Sequence, residues 1–224
     1  MIAERPPTSP AARAALGEQF NTLAQQHETS EFGMWIFLAT ELMLFGGLFL
    51  AYTVYRTVYS AGFADGSRHL DLVYAAPNTA VLLISSLTMA LAVRAAQVGE
   101  QRKITRYLLL TAVLGIVFML VKSAEYYEHY QQGMLPGIAW TYTGADANAV
   151  ELFFVAYFTM TGLHAVHLLV AIGIVLVCWF MARRGAFVPP ERHTPLEMVG
   201  LYWHFVDMIW TFLLPLLYLF GFHA

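Results

Sequence analysis

Four short stretches put polar side chains among apolar ones. Residues 202–210 read YWHFVDMIW, with His204 and Asp207 one helical turn apart. Residues 161–167 read TGLHAVH, which gives His164 and His167 the same spacing. Glu41 stands in ATELMLF, and Glu125 stands in KSAEYYEHY, where Glu128 and His129 follow it. Histidines and carboxylates spaced this way on a helix face can hold a metal in a bundle core. They can also move a proton, or tie one helix to another by hydrogen bonds. Which of these applies depends on the elements that carry them.

Composition places those elements in a membrane. The 224-residue chain is 58% hydrophobic and only 12% charged, whereas soluble chains average about 25% charged. The net charge is −3. The basic residues are scattered over short loops, so no nucleic-acid partner is implied. The single cysteine, Cys178, excludes an intrachain disulfide and iron–sulfur ligation by cysteines. Its apolar neighbours make it a small buried hydrophobe. Residues 1–31 lack the apolar core of a signal peptide.

A crossing helix needs about 20 mostly apolar residues. Five stretches qualify, at residues 33–55, 75–96, 106–127, 150–182 and 197–222. The predicted fold class is therefore all-α, an integral membrane five-helix bundle spanning residues 33–224. Residues 1–32 read as a cytoplasmic tail, partly flexible or holding a short interfacial helix over AARAALGEQFNTLAQQ. Nine of the twelve Lys and Arg residues fall on the side of the N-terminal tail and three on the other (Arg56, Arg68 and Lys122). The positive-inside rule then puts the N-terminus in the cytoplasm and the C-terminus outside. Tyr52, Tyr55, Tyr59, Tyr126, Tyr127, Tyr130 and Tyr218 read as an interfacial belt. Residues 128–149 form a long Gly- and Pro-marked connection, enough for an external cap.

Charged groups inside a bilayer cost about 2.5–3.5 kcal/mol each on insertion scales, so each needs a receiver. Counting from the predicted span ends at 1.5 Å per residue puts Glu41 and His204 at about 12 Å and Asp207 at about 16 Å. His167, His164 and Glu125 fall at about 24–28 Å by the same count. The expectation is two tiers: Glu41 with His204 and Asp207, and His164 with His167 and Glu125. A tier separation of roughly 10 Å forbids one four-ligand metal site. Two histidines on adjacent turns of a single helix would not sandwich a haem. A Glu41–His204 contact is expected, because it would satisfy two polar groups at one depth. Gly46, Gly47 and Ala51, Ser85, Ser86 and Thr88, and Thr159, Thr161 and Gly162 are expected to let helices approach closely. Pro215 removes one amide donor and frees the Thr211 carbonyl.

GMWIFLATELMLFGGLFLAY, KSAEYYEHY, FFVAYFTMTGLHAVHLLVAIG and GLYWHFVDMIWTFLLPLLYLFG together resemble subunit III of the haem–copper oxidases. The match covers most of residues 32–222 in the family's order and looks like its five-span version. What the resemblance implies is a non-redox subunit in a bacterial inner membrane. The haems and copper belong to subunit I, and subunit III supports its stability, holds phospholipid and sustains proton uptake. Such a chain carries no cofactor of its own, and its partners are subunit I, the other oxidase subunits and membrane lipids. Glu41 matches the family's buried carboxylate, His164 and His167 its histidine pair, and His204 and Asp207 its final-span pair. Two other readings stay open: an accessory five-span subunit of a nitric oxide reductase, and a free-standing membrane metal or haem protein.

Overall fold

Five long apolar helices, a short sixth helix and one small hairpin make up the computed structural model, which describes residues 19–144, 146–187 and 193–219. Helix α1 runs Leu23–Val58, α2 Ser60–Arg68, α3 Leu72–Gln97 and α4 Gln101–Gln131. Strands β1 (Met134–Leu135) and β2 (Ala139–Trp140) follow, then α5 (Ala147–Arg183) and α6 (Thr194–Leu214). A π-helical turn at Pro215–Leu219 extends α6. All five predicted spans are present, and α1, α3, α4, α5 and α6 with its π turn are each long and apolar enough to cross a membrane.

Local chemistry sets the helix ends, and α1 begins well before the predicted residue 33. The Thr22 hydroxyl accepts the Gln25 amide and caps the helix. Residues 23–32, read from the sequence as tail, therefore belong to α1. The proposed interfacial helix lies partly outside the described residues. Asp71 caps α3 through the Val73 amide. The turn from α3 to α4 needs a left-handed residue, which Gly99 supplies at φ 73°.

The predicted external cap is smaller than its 22 residues suggested, because α4 continues to Gln131. Within it, Met134–Leu135 and Ala139–Trp140 form an antiparallel hairpin with Met134 opposite Trp140, and α5 begins at Ala147. Helix α2 was not foreseen. Its glycines let it lie flat on α5. A Cβ at Gly66 would come within 2.8 Å of Phe153 Cγ, and one at Gly62 would collide with Ala149. The Ser67 hydroxyl donates to the Leu217 carbonyl at 2.7 Å. That bond satisfies a carbonyl in the irregular turn that Pro215 imposes.

Helix α6 runs between three neighbours. It touches α1, α3 and α5, and buries Trp203 and Trp210 completely. The Trp203 indole donates to Ser85 Oγ at 3.2 Å and the Trp210 indole to Thr79 Oγ1 at 2.9 Å. Helices α3 and α4 meet through small residues, where the Thr88 and Thr111 hydroxyls lie 2.7 Å apart. Gly46 and Gly47 differ from expectation, since a Cβ at either would meet nothing within 4 Å. They allow no close approach within this chain. Tyr52 and Tyr218 also belong to the core rather than to an interfacial belt, whereas Tyr55, Tyr59, Tyr127 and Tyr130 are exposed.

Candidate functional site

Three polar clusters lie within the bundle. In the first, Glu41 of α1 pairs with His167 of α5, with Oε2 and Nε2 2.9 Å apart. The other ring nitrogen, His167 Nδ1, lies 2.8 Å from the Leu163 carbonyl, so it carries the ring proton that donates there. Phe45 packs on the His167 ring edge at 5.2 Å. This pair overturns two expectations, the Glu41–His204 contact and the assignment of Glu41 and His167 to separate tiers.

The physical reason is the true position of the helix ends. His27 of α1 and Thr194 of α6 lie side by side, with Nδ1 and Oγ1 3.3 Å apart. From that shared level, Glu41 is about 21 Å along α1 and His204 only about 15 Å along α6. Helix α5 ends at Arg183, which leaves His167 about 24 Å from its end and close to the Glu41 level.

The second cluster is the most heavily bonded, and the sequence reading missed its cation. Lys122 was counted with the outer loops, yet it is buried in α4. Its ammonium donates to Glu125 Oε2 at 3.0 Å, to Tyr218 Oη at 2.9 Å and to Tyr157 Oη at 3.2 Å. Tyr157 donates to Glu125 Oε1 at 2.7 Å, and Tyr218 donates to the same oxygen. Three ammonium protons and two phenol protons are thus all used, and the network closes with Lys122 charged and Glu125 ionised. The ammonium also stands 4.9 Å from the centre of the Trp210 ring. Opposite charges at i and i+3, Lys122 and Glu125, were the available sequence signal.

His164 lies beside this cluster but does not join its bonds. Its ring is 5.3 Å from Trp210 and 6.0 Å from Phe118. Both ring nitrogens are buried without a hydrogen-bond partner among the described residues. His164 and His167 share a helix but serve different neighbours. His129 is similarly buried, among Phe154, Tyr157 and Phe158.

The third cluster joins α3 to α6. Ser86 Oγ lies 2.6 Å from His204 Nδ1, so His204 binds α3 rather than Glu41. Both Asp207 carboxyl oxygens are buried without a hydrogen-bond partner among the described residues. Asp207 is 5% exposed. Among the described residues, no group of three or more His, Cys, Asp or Glu side chains is arranged to hold a metal.

This arrangement of clamps across five spans accompanies a family match. Residues 16–222 fit the model of the family described as cytochrome c oxidase subunit III. The chain belongs to that family. It is 30% identical to cytochrome c oxidase subunit 3 of Thermostichus vulcanus over 86% of this chain and 90% of that protein. It is 31% identical to the same subunit of Corynebacterium diphtheriae over 83% and 85%. It is also 29% identical to cytochrome bo(3) ubiquinol oxidase subunit 3 of Pseudomonas aeruginosa over 85% and 84%. The chain is thus a multi-pass membrane protein of subunit III type, and other oxidase subunits are its partners. In family terms, the three clusters tie α1 to α5, α4 to α5 and the π turn, and α3 to α6.

Proposed function

We propose that this chain is the non-redox third subunit of a terminal oxidase in a bacterial inner membrane. It packs against the haem- and copper-bearing subunit I, stabilises it, helps sustain its proton uptake and holds phospholipid. Its N-terminus lies in the cytoplasm. The observation that carries this reading is how the polar groups are used. His167 is bound to Glu41 and His204 to Ser86, and Glu125 and Lys122 saturate each other with two tyrosines. His164 faces Trp210 and Phe118, with no second histidine opposite it. Among the described residues, these polar groups are therefore engaged in helix packing rather than arranged as one ligand set.

The outer surface supports a partner role. Ile36, Met43, Leu50 and Val54 project from α1 at helical spacing and are exposed. Among its described residues, only a narrow seam, Leu38, Phe45 and Tyr52, is buried on that helix. Affinity purification of the tagged chain from native membranes, with subunit identification, tests the assignment. The expected result is co-purification with a haem–copper subunit I, with every haem band lost once the chain is separated. A stoichiometric haem on the isolated chain, or co-purification with a nitric oxide reductase, would overturn it.

A further inference from the structure

His204 has two ring nitrogens, and the bundle uses one of them. Nδ1 lies 2.6 Å from Ser86 Oγ on α3. Nε2 has no hydrogen-bond partner among the described residues, and it is not one of their buried polar atoms. The His204 side chain lines an apolar groove of about 330 Å³ between α1 and α6. Leu38 and Phe205 are its buried residues, whereas Trp35, Leu42 and Met208 are exposed along its edge. The groove therefore opens sideways, toward the hydrocarbon that surrounds the spans. Among the described residues that line it, only His204 and the Trp35 indole carry a polar side-chain atom.

That lining selects a class of ligand. Small-molecule sites run from about 300 Å³ upward and are mostly apolar, with a few polar groups that fix orientation. No Lys, Arg, Asp or Glu lines this groove, so an ionised head would lie there without a counter-charge. A bare acyl chain would fill the space but leave Nε2 without a partner. A flat neutral ring bearing an oxygen satisfies both demands, and Trp35 and Phe205 offer it aromatic faces. The imidazole can also serve that oxygen in either sense. With the Ser86 hydroxyl donating to Nδ1, the ring proton sits on Nε2, which then donates to a carbonyl. With Nδ1–H donating to Ser86 Oγ, Nε2 keeps its lone pair and accepts from a hydroxyl.

We propose that the groove between α1 and α6 binds a membrane quinone, as quinone or as quinol, by one ring oxygen on His204 Nε2. The oxidised form presents a carbonyl, which takes the Nε2 proton in a hydrogen bond. The reduced form presents a hydroxyl, which donates to the Nε2 lone pair. Ser86 reverses its own hydrogen bond to match, so the two forms are held by the same side chains. The apolar tail leaves by the open edge, past Leu42 and Met208. This is binding only, with no bond broken and no electron moved. It rests on groups of this chain alone, so it stands apart from the identity of the complex.

Photolabelling of the full chain in lipid nanodiscs with an arylazido ubiquinone analogue, followed by peptide mapping, tests it. The expected label falls on residues 35–42 and 201–208 and is displaced by decylubiquinone and by its reduced form alike. His204→Leu should weaken that binding about tenfold, the loss of one net hydrogen bond. His204→Gln, which keeps a donor and an acceptor, should restore most of it. Ala39→Phe, which fills the groove and leaves His204 in place, should abolish the label. Label spread evenly over the five spans, or label unchanged in both His204→Leu and Ala39→Phe, would overturn the proposal. Displacement by hexadecane as effective as that by decylubiquinone would also overturn it, since the groove would then hold acyl chains. If His204→Leu fails to fold, Ala39→Phe and the two competitors decide alone.

Discussion

Glu41 Oε2 and His167 Nε2 lie 2.9 Å apart between α1 and α5. This polar tie sits in the middle of the inward seam of α1, beside Leu38, Phe45 and Tyr52. The pair fixes both the rotation of α1 and its height against α5. Cysteines placed at 41 and 167 should therefore cross-link readily with a short thiol-bridging reagent. Cysteines at 41 and 204 should not, because those positions differ by about 6 Å in depth along their helices. Equal cross-linking of the two pairs would mean that α1 is seated elsewhere.

The Lys122–Glu125 cluster predicts non-additive energetics. Removing one member of a buried ion pair strands the other and costs about 3–5 kcal/mol, whereas replacing both with apolar groups costs far less. Lys122→Met and Glu125→Leu should each lower the unfolding free energy in detergent by about that amount. The double variant should be more stable than either single one. Additive losses would show that the two charges do not compensate each other.

The spans were legible because 1.5 Å of rise per residue against about 30 Å of hydrocarbon leaves few ways to place five apolar runs. The intramembrane polar residues stood out for the same reason, because a polar group in such an apolar run is conspicuous. Partner choice was not legible. It depends on where each helix really starts, and α1 extends to a Thr22 cap that precedes its apolar run. An error of several residues at 1.5 Å each is enough to pair Glu41 with the wrong histidine. Lys122 was misread because counting basic residues by side assumes that they lie in water. Here three oxygens of the protein replace that water. Helix α2 escaped because its glycines and small polar residues look like loop until Phe153 and Ala149 are set against them.

Outside the spans, the hairpin is tied to α2 by Tyr142, whose hydroxyl donates to Asp65 Oδ2 at 2.6 Å. That hydrogen bond, with the nearby carboxylate charge, raises the phenol above its ordinary value. A raised folded value means the contribution is fully present below the ordinary tyrosine range and is lost as pH rises through the raised one. Tyr142 should therefore ionise at a higher pH in the wild type than in Asp65→Asn in an ultraviolet titration. Identical titration of Tyr142 in the wild type and in Asp65→Asn would refute the tie.

Close packing between α4 and α6 gives the sharpest steric prediction. A Cβ built on Gly115 would stand 2.8 Å from Trp203 Cη2 and 3.0 Å from Ile172 Cγ1. Neither neighbour can yield easily. Trp203 is wholly buried and its indole is held by Ser85, and Ile172 is in the core of α5. Overpacking of this kind costs about 1–3 kcal/mol. Gly115→Ala should lower the thermal midpoint of the detergent-solubilised chain and shift its tryptophan emission, whereas Gly47→Ala, where a Cβ meets nothing within 4 Å, should leave the isolated chain unchanged. If Gly47→Ala nonetheless weakens co-purification of the other oxidase subunits, the open face of α1 is where they pack. If it does not, that face is lined by lipid.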